Sequence, residues 1–206
     1  MEKRTFKPGT MLSPVPAVMV SCGSCGGEKN IITVAWTGNV NSDPPMTYIS
    51  VRKSRYSHSM IAESGRFVIN LCSRALAETT DYCGVKSGRD VDKFKARGLT
   101  AIRAQHSDCP MIAEAPVNIE CKVIEVHEYP SHDMFVAEVE AVHADESLMD
   151  GHGKLCLEKA GLVAYCHGEY FALDKSPLGQ FGFSVMKPKT KKRLAGQRRA
   201  ARKRKR

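Results

Sequence analysis

From Asn30 to Tyr56 the chain reads NIITVAWTGNVNSDPPMTYISVRKSRY, and its chemistry gathers at the ends of two strand-like runs. Trp36, Thr37, Gly38 and Asn39 close the first run; Arg52, Lys53 and Arg55 close the second. An indole beside small hydroxyl and amide groups suits one flat ring, and paired cations suit a phosphate hung from it. Thr37 and nearby backbone N–H groups would bond the ring's polar edge, and Gly38 lets the backbone approach where a side chain would clash. A core plug or lid is an equally open role for Trp36. Ser57 and His58 follow Arg55 in the first turn of a helix. A helix N-terminus with an Arg and a hydroxyl makes a phosphate cradle, although a generic basic loop has the same composition.

A second group is SGRDVDKF, with Ser87, Arg89, Asp90, Asp92, Lys93 and Phe94. Arg89 and Lys93 are four apart and could serve one anion, with Asp90 capping the helix; a self-contained capping and salt-bridge network is the alternative. Seven histidines are scattered, and none sits in a tight metal pattern. His132, in a turn before MFVAEV, could face a bound ring or donor substrate, or be a solvated turn residue. Eight cysteines include one close pair, Cys22 and Cys25 in CGSCGG, half of a tetrahedral zinc site without a second half. A Gly-rich hairpin turn explains it as well as a redox or metal role. Cys72 and Cys121 fall in apolar strand patterns, where a reduced thiol is a small buried side chain. No Ser-His-Asp or Cys-His arrangement supports a hydrolase.

The elements that must position these groups are mostly strands. PAVMVSC and IITVAW flank the Gly-rich turn, and a polar loop leads to PMTYISVR, with Pro44 and Pro45 confined to its entrance. RYSHSMIAESG reads as a helix stopped by Gly65, and RFVINLC as a strand. SRALAETTDYCG reads as a helix with Ser73 a candidate cap, and DVDKFKAR as a short one closed by Gly98. Residues 116–128 and MFVAEVEAVHAD form a long antiparallel pair around YPSH. The tally, about six or seven strands and three short helices with short connections, predicts a closed or nearly closed antiparallel barrel with peripheral helices. Dinucleotide-type strand–helix repeats are absent.

With 206 residues, 42% hydrophobic, the chain can bury one sizeable core. One domain is expected over residues 1–186 and a basic, disordered tail over 187–206. The tail holds twelve of the 31 Lys and Arg and no acid, which leaves 19 basic against 22 acidic residues, or −3, for the body. The +9 overall charge is thus a property of the tail. Contact of the tail with nucleic acid stays open, but the body lacks the interleaved aromatic and basic residues of a stacking platform. No apolar stretch is long enough to span a membrane or serve as a secretion signal, so a cytoplasmic protein is expected.

Taken in order and spacing, NIITVAW, VNSDPPMTYISVRKSRYSHSMIAESGRFVINL, SGRDVDKF, SHDMFVAEV and GEYFAL resemble the flavin reductase-like proteins, especially the flavoredoxin branch, over roughly residues 10–180. The resemblance implies a mainly β fold, an FMN-binding split β-barrel (antiparallel, Greek-key-like), usually a homodimer. It implies FMN as cofactor, with NADH or NADPH as electron donor and hydride transfer to flavin. The alternative is a flavoredoxin-type carrier with tightly held FMN reduced by a redox protein partner. Carried over, Trp36, Thr37, Gly38 and Asn39 would lie along the isoalloxazine, and Ser50, Val51 and Arg52 beside the ring and ribityl chain. Arg55, Ser57 and His58 would meet the phosphate. Ser87, Arg89, Asp92, Lys93 and Phe94 would close over the cofactor. His132 matches a histidine on the nicotinamide side, the catalytic candidate, although the family's Gly-Asp-His setting reads Pro-Ser-His here. The CGSCGG turn and the cationic tail stand outside the family pattern.

Overall fold

The computed structural model describes residues 1–174, 176–188, 190 and 193. Two compact units, Met1–Leu173 and Asp174–Arg206, divide the chain. The first carries the strands β1 (Val15–Pro16), β2 (Val18–Gly23), β3 (Lys29–Val34), β4 (Thr37–Ser42), β5 (Pro45–Arg52) and β6 (Arg66–Leu71). β7 (Ala101–Arg103), β8 (Pro110–Ile112), β9 (Val117–Glu128), β10 (His132–Ala144), β11 (Val163–Cys166) and β12 (Glu169–Ala172) complete them. Its helices are α1 (Tyr56–Ser64), α2 (Ala77–Val85) and α3 (Lys93–Ala96). In the second unit a short 3-10 turn spans Phe183–Val185, and the expectation of a disordered tail falls largely outside the described residues. No helix among the described residues is long and apolar enough to cross a membrane.

Seven antiparallel strands form the main sheet in the order β3-β2-β6-β9-β10-β5-β4. β3 and β4 lie at opposite edges of that order, yet only Ala35 and Trp36 separate them in the chain. The sheet must therefore curl until its edges approach. Bulges at Val136/Ala137 and Val139/Ala141 in β10 and at Asn39/Asn41 in β4 supply the local bend. The mainly β split barrel that the resemblance implies is the fold observed, and the antiparallel barrel with peripheral helices expected from the strand tally agrees with it.

Alternation along β2 and β3 explains the two-sided burial. Val18, Val20, Cys22, Ile32 and Val34 point into the barrel, where Ile49, Val51, Phe67, Ile69 and Phe135 meet them. Met19 and Ile31 point the other way, into a second core with Leu76, Cys83 and Phe94 from the α2 and α3 region. Because both faces of β2 are covered, it reads as a continuous apolar run. Three differences from the sequence reading follow from short-range chemistry. β4 was expected to be a polar loop; TGNVNS becomes a strand because it can pair with β5 at a largely exposed sheet edge. Asp92, not Asp90, caps α3, its carboxylate accepting the Lys95 N–H at 3.1 Å, because the helix starts at Lys93. Ser73 precedes a 3-10 turn, Arg74–Leu76, and makes no side-chain cap bond.

Candidate functional site

The gap between β3 and β5 is the opening of the split barrel. Among the described residues β3 pairs only with β2, so its other backbone edge has no strand partner there. A slot of about 200 Å³ lies there, walled by Ile32, Thr33 and Val34 of β3, by Ser50, Val51 and Arg52 of β5, and by Trp36, Arg55 and His132. The Trp36 and His132 rings pack with centroids 4.5 Å apart at 47°. Burial, then the Arg52 charge, hold the His132 imidazole below its ordinary value, so it is neutral near pH 7. Its Nδ1 lies 2.8 Å from Ser131 Oγ.

A larger cavity of about 420 Å³ adjoins the slot, and Ile32, Arg52 and Arg55 line both. Its walls come from β3, the β5–α1 turn, the end of α2 and the loop to α3. Arg52, Arg55, Lys86, Arg89 and Lys93 face it, and no Asp or Glu does. Among the described residues no carboxylate lies within ion-pair distance of any of these five cations. α1 begins beside them with no side-chain cap and no acid in its first turn, so its dipole adds to the positive field.

Two buried groups show what is missing. Lys93 is only 3% exposed, and its Nζ donates to the carbonyls of Ile31 (2.6 Å) and Cys83 (2.8 Å). Burial lowers its pKa, because the cation has hydrogen bonds but no countercharge. Asn30 donates through Nδ2 to Ser57 Oγ at 2.9 Å, but its buried Oδ1 accepts nothing. A cavity with cations at one end, an orphaned buried acceptor in its wall and an aromatic slot adjoining it suits one kind of ligand. A flat ring carrying a phosphate is of that kind.

Of the residues expected at the site, Trp36, Ser50, Val51, Arg52, Arg55 and His132 meet at the slot. Ser57, Ser87, Arg89 and Lys93 meet with Arg52 and Arg55 at the larger cavity. The remaining ones line neither. Thr37 Oγ1 donates to the Tyr48 carbonyl at 2.6 Å, and Gly38 and Asn39 pair with Tyr48 and Thr47 on β4, because the chain turns away directly after Trp36. His58 Nε2 is 2.7 Å from Asp133 Oδ2 and its ring packs on Phe135, which holds it away from both cavities. Asp92 is occupied as the α3 cap, and Phe94 is buried in the outer core. Lys93 and Arg89, expected to be able to serve one anion, both line the larger cavity, where Arg89 donates to the Ser54 carbonyl and lies 5.3 Å over the Tyr56 ring.

Asn30 and Tyr56, the two ends of the stretch quoted above, also line the larger cavity, and so does Lys86, which carries no motif of its own. Lys86 directly precedes SGR, the one signal that could have flagged it. The CGSCGG segment forms the β2–β3 turn. Cys22 lies in the barrel interior, where burial pushes its thiol up to about 11, while Cys25 sits on the turn with its N–H bonded to the Asp108 carbonyl. All eight thiols are free.

The flavin reductase like domain matches residues 10–174. Flavoredoxin of Desulfovibrio vulgaris (Miyazaki F) superposes with a TM-score of 0.82 at 32% identity, over 89% of this chain and 100% of that one. Flavoredoxin from Methanosarcina acetivorans gives a TM-score of 0.81 at 29% identity, over 90% and 100%. An uncharacterized protein of Archaeoglobus fulgidus is 31% identical over 127 residues, 61% of this chain and 72% of its own length. A barrel split at β3/β5, a cation-lined cavity at that split and a family match along most of the chain agree, and the chain belongs to the flavin reductase-like family, in its flavoredoxin branch.

Proposed function

We propose that the protein is a flavoredoxin-type electron-transfer flavoprotein that holds FMN as a resident cofactor and receives electrons from a redox protein partner. One observation carries this reading: the aromatic slot and the carboxylate-free cationic cavity share a wall at Ile32, Arg52 and Arg55. FMN has the ring, the hydroxylated chain and the phosphate that this pair of cavities suits. The likeness to two flavoredoxins along their whole length supports the electron-carrier role over a free-flavin reductase.

When bound, FMN supplies the electron-accepting chemistry, and the protein binds, orients and shields it. Arg52 and Arg55, with the N-terminus of α1 between them and Ser57, neutralise the phosphate. Asn30 Oδ1 is free to accept from a hydroxyl of the chain. The unpaired edge of β3 offers backbone groups to the polar rim of the ring. Trp36 and His132 close one end of the slot against water. Neutral His132 can hold a proton at Nε2 while its Nδ1 stays with Ser131. Assembly as a homodimer belongs to the same proposal, and light scattering on the purified protein tests it.

The deciding experiment is the visible spectrum of the apoprotein before and after FMN, then under anaerobic conditions with NADH, NADPH or a reduced ferredoxin. Flavin bands that shift on mixing, bleach with the reduced protein donor and persist with the nicotinamides are expected. Rapid bleaching by NADH or NADPH would instead make the protein a hydride-accepting NAD(P)H:flavin oxidoreductase. Unshifted bands would remove the flavin reading itself.

A further inference from the structure

We infer that Asp133 is a positioning residue for the phosphate end of the site. From the barrel side it clamps the turn between β5 and α1 through Lys53 and His58, and so holds Arg55 and Ser57 against the larger cavity. The inference rests on the flavin reading above and deepens it.

Placement is the first observation. Asp133 is the second residue of β10, opposite Val51 of β5, and lies on the same sheet face as Val51 and Phe135 of the inner core. An acid there, 6% exposed, is costly unless it is paired. Both of its partners belong to one short segment. Its Oδ2 lies 2.7 Å from His58 Nε2, and its Oδ1 stands 3.2 Å from Lys53 Nζ, an ion pair without hydrogen-bond alignment. Burial alone would raise this carboxyl, but His58 and Lys53 outweigh it and hold it below its ordinary 3.8, so it is ionised near neutral pH.

The segment's other face is the second. Ser54, Arg55, Tyr56 and Ser57, the four residues between the two contacts, all line the larger cavity. α1 opens after Arg55 without a side-chain cap. The turn's other side-chain contacts run from Asn30 to Ser57, from Arg89 to the Ser54 carbonyl and from Tyr56 to Glu28, on the cavity side or at the surface. Lys53 is half exposed and also bonded to Glu128 at 2.8 Å, so the His58 contact is the firmer half of the clamp.

Sign is the third. Asp133 lines neither cavity. By Coulomb's law alone its removal favours a bound phosphate, because a negative charge leaves and Lys53 loses a competing partner. A clamp predicts the opposite: the cradle loosens and phosphate affinity falls.

Fluorescence titrations of the full-length apoprotein with FMN and with riboflavin, which lacks the phosphate, test this together with hydrogen exchange of residues 52–58 in the absence of flavin. Asp133→Leu, which keeps the volume and removes both acceptor oxygens, is expected to weaken FMN about tenfold and riboflavin by less than about twofold. It is also expected to speed exchange in residues 52–58 about tenfold while β2 stays protected. His58→Leu removes the firmer contact from the α1 side and is expected to show the same split, which keeps the test decisive if Asp133→Leu fails to fold. Asp133→Asn retains an acceptor for His58 without the charge and is expected to keep FMN within about threefold of wild type. FMN bound by either leucine variant as tightly as by the wild type, or more tightly, would overturn the inference. So would equal losses of FMN and riboflavin, the mark of a merely structural role. A wild type that binds neither flavin would remove the flavin reading, and exchange in residues 52–58 would still decide the clamp on its own, unchanged rates in the leucine variants refuting it.

Discussion

Two polar regions of this barrel each hold side chains that are almost fully buried, and they are built on opposite principles. On one side of β6, Asn70 Nδ2 donates to the Met19 carbonyl and to Ser21 Oγ, both at 2.9 Å, while its Oδ1 accepts from Ile112 N and Asn118 Nδ2. Nearby, the Glu120 carboxylate, 2% exposed, accepts from the N–H groups of Gln105 (2.6 Å) and His106 (2.9 Å) and lies 2.6 Å from His143 Nε2. Every polar atom of these two side chains has a protein partner. Around the split, among the described residues, Lys93 has no countercharge, Asn30 Oδ1 has no donor, and four more cations gather without an acid. The saturated region is a fastening that specifies the fold. The unsaturated region opens to solvent, and that incompleteness is what the proposed cofactor site rests on.

The contrast breaks most visibly at Asn70. Asn70→Ala would strand the Ile112 N–H and the Asn118 amide in the core, so a loss of about 3 kcal/mol or more in urea unfolding is expected. If the contrast holds, FMN affinity per folded molecule changes little. Arg55→Ala should do the reverse: FMN binding weakened roughly tenfold to 100-fold in a fluorescence titration, with unfolding of the apoprotein shifted by less than about 0.5 kcal/mol. Equal effects on both readouts in both variants would dissolve the distinction.

Lys93→Met sharpens it further, because a single residue should pull the two readouts apart. Removing an unpaired buried cation is expected to stabilise the apoprotein by about 1 kcal/mol while weakening FMN several-fold, measured by thermal unfolding with and without FMN. Destabilisation of the apoprotein would mean that the bonds to Ile31 and Cys83 outweigh the desolvation of the charge. Acid titration probes the saturated side. Burial alone would raise the Glu120 carboxyl, but the Gln105 and His106 N–H groups and His143 outweigh it and hold it below its ordinary 4.5. A carboxyl lowered by folding contributes stability that is complete above 4.5 and is lost as pH falls through its lower folded value. Glu120→Gln should flatten that acid limb in urea midpoints measured from pH 6 downward. Smallest is Gly88→Ala: its Cβ would sit 2.3 Å from Asn30 Oδ1, so the orphaned acceptor must move, and FMN affinity is expected to fall by about threefold.

The strands were legible wherever both local pattern and burial agreed. RFVINL and residues 116–128 declare themselves by β-branched and aromatic content, and Gly65 stops α1 in the left-handed conformation, φ 61°, that its position requires. β4 was not legible, because TGNVNS has a turn's composition and becomes a strand only through β5. In the site, cations at Arg52, Arg55 and Arg89 could be read because their spacing before helix starts is local. Thr37, Gly38, Asn39, His58, Asp92 and Phe94 were drawn in by adjacency along the chain, and the structure gives them other partners.

Sequence by itself determined the strand-rich fold class, the separation of a mildly acidic body from a basic tail, and the clustering of Arg52, Lys53 and Arg55 at one strand end. Those properties reside in composition and in spacings of a few residues. Tertiary structure alone decided which groups are unsatisfied. Asn30 and Ile32 of β3, Tyr56 of α1, Lys86 after α2 and Lys93 of α3 share a cavity only after the sheet has curled. Whether a buried amide or ammonium ion has a partner depends on what lies across space from it, and no window along the chain contains that information.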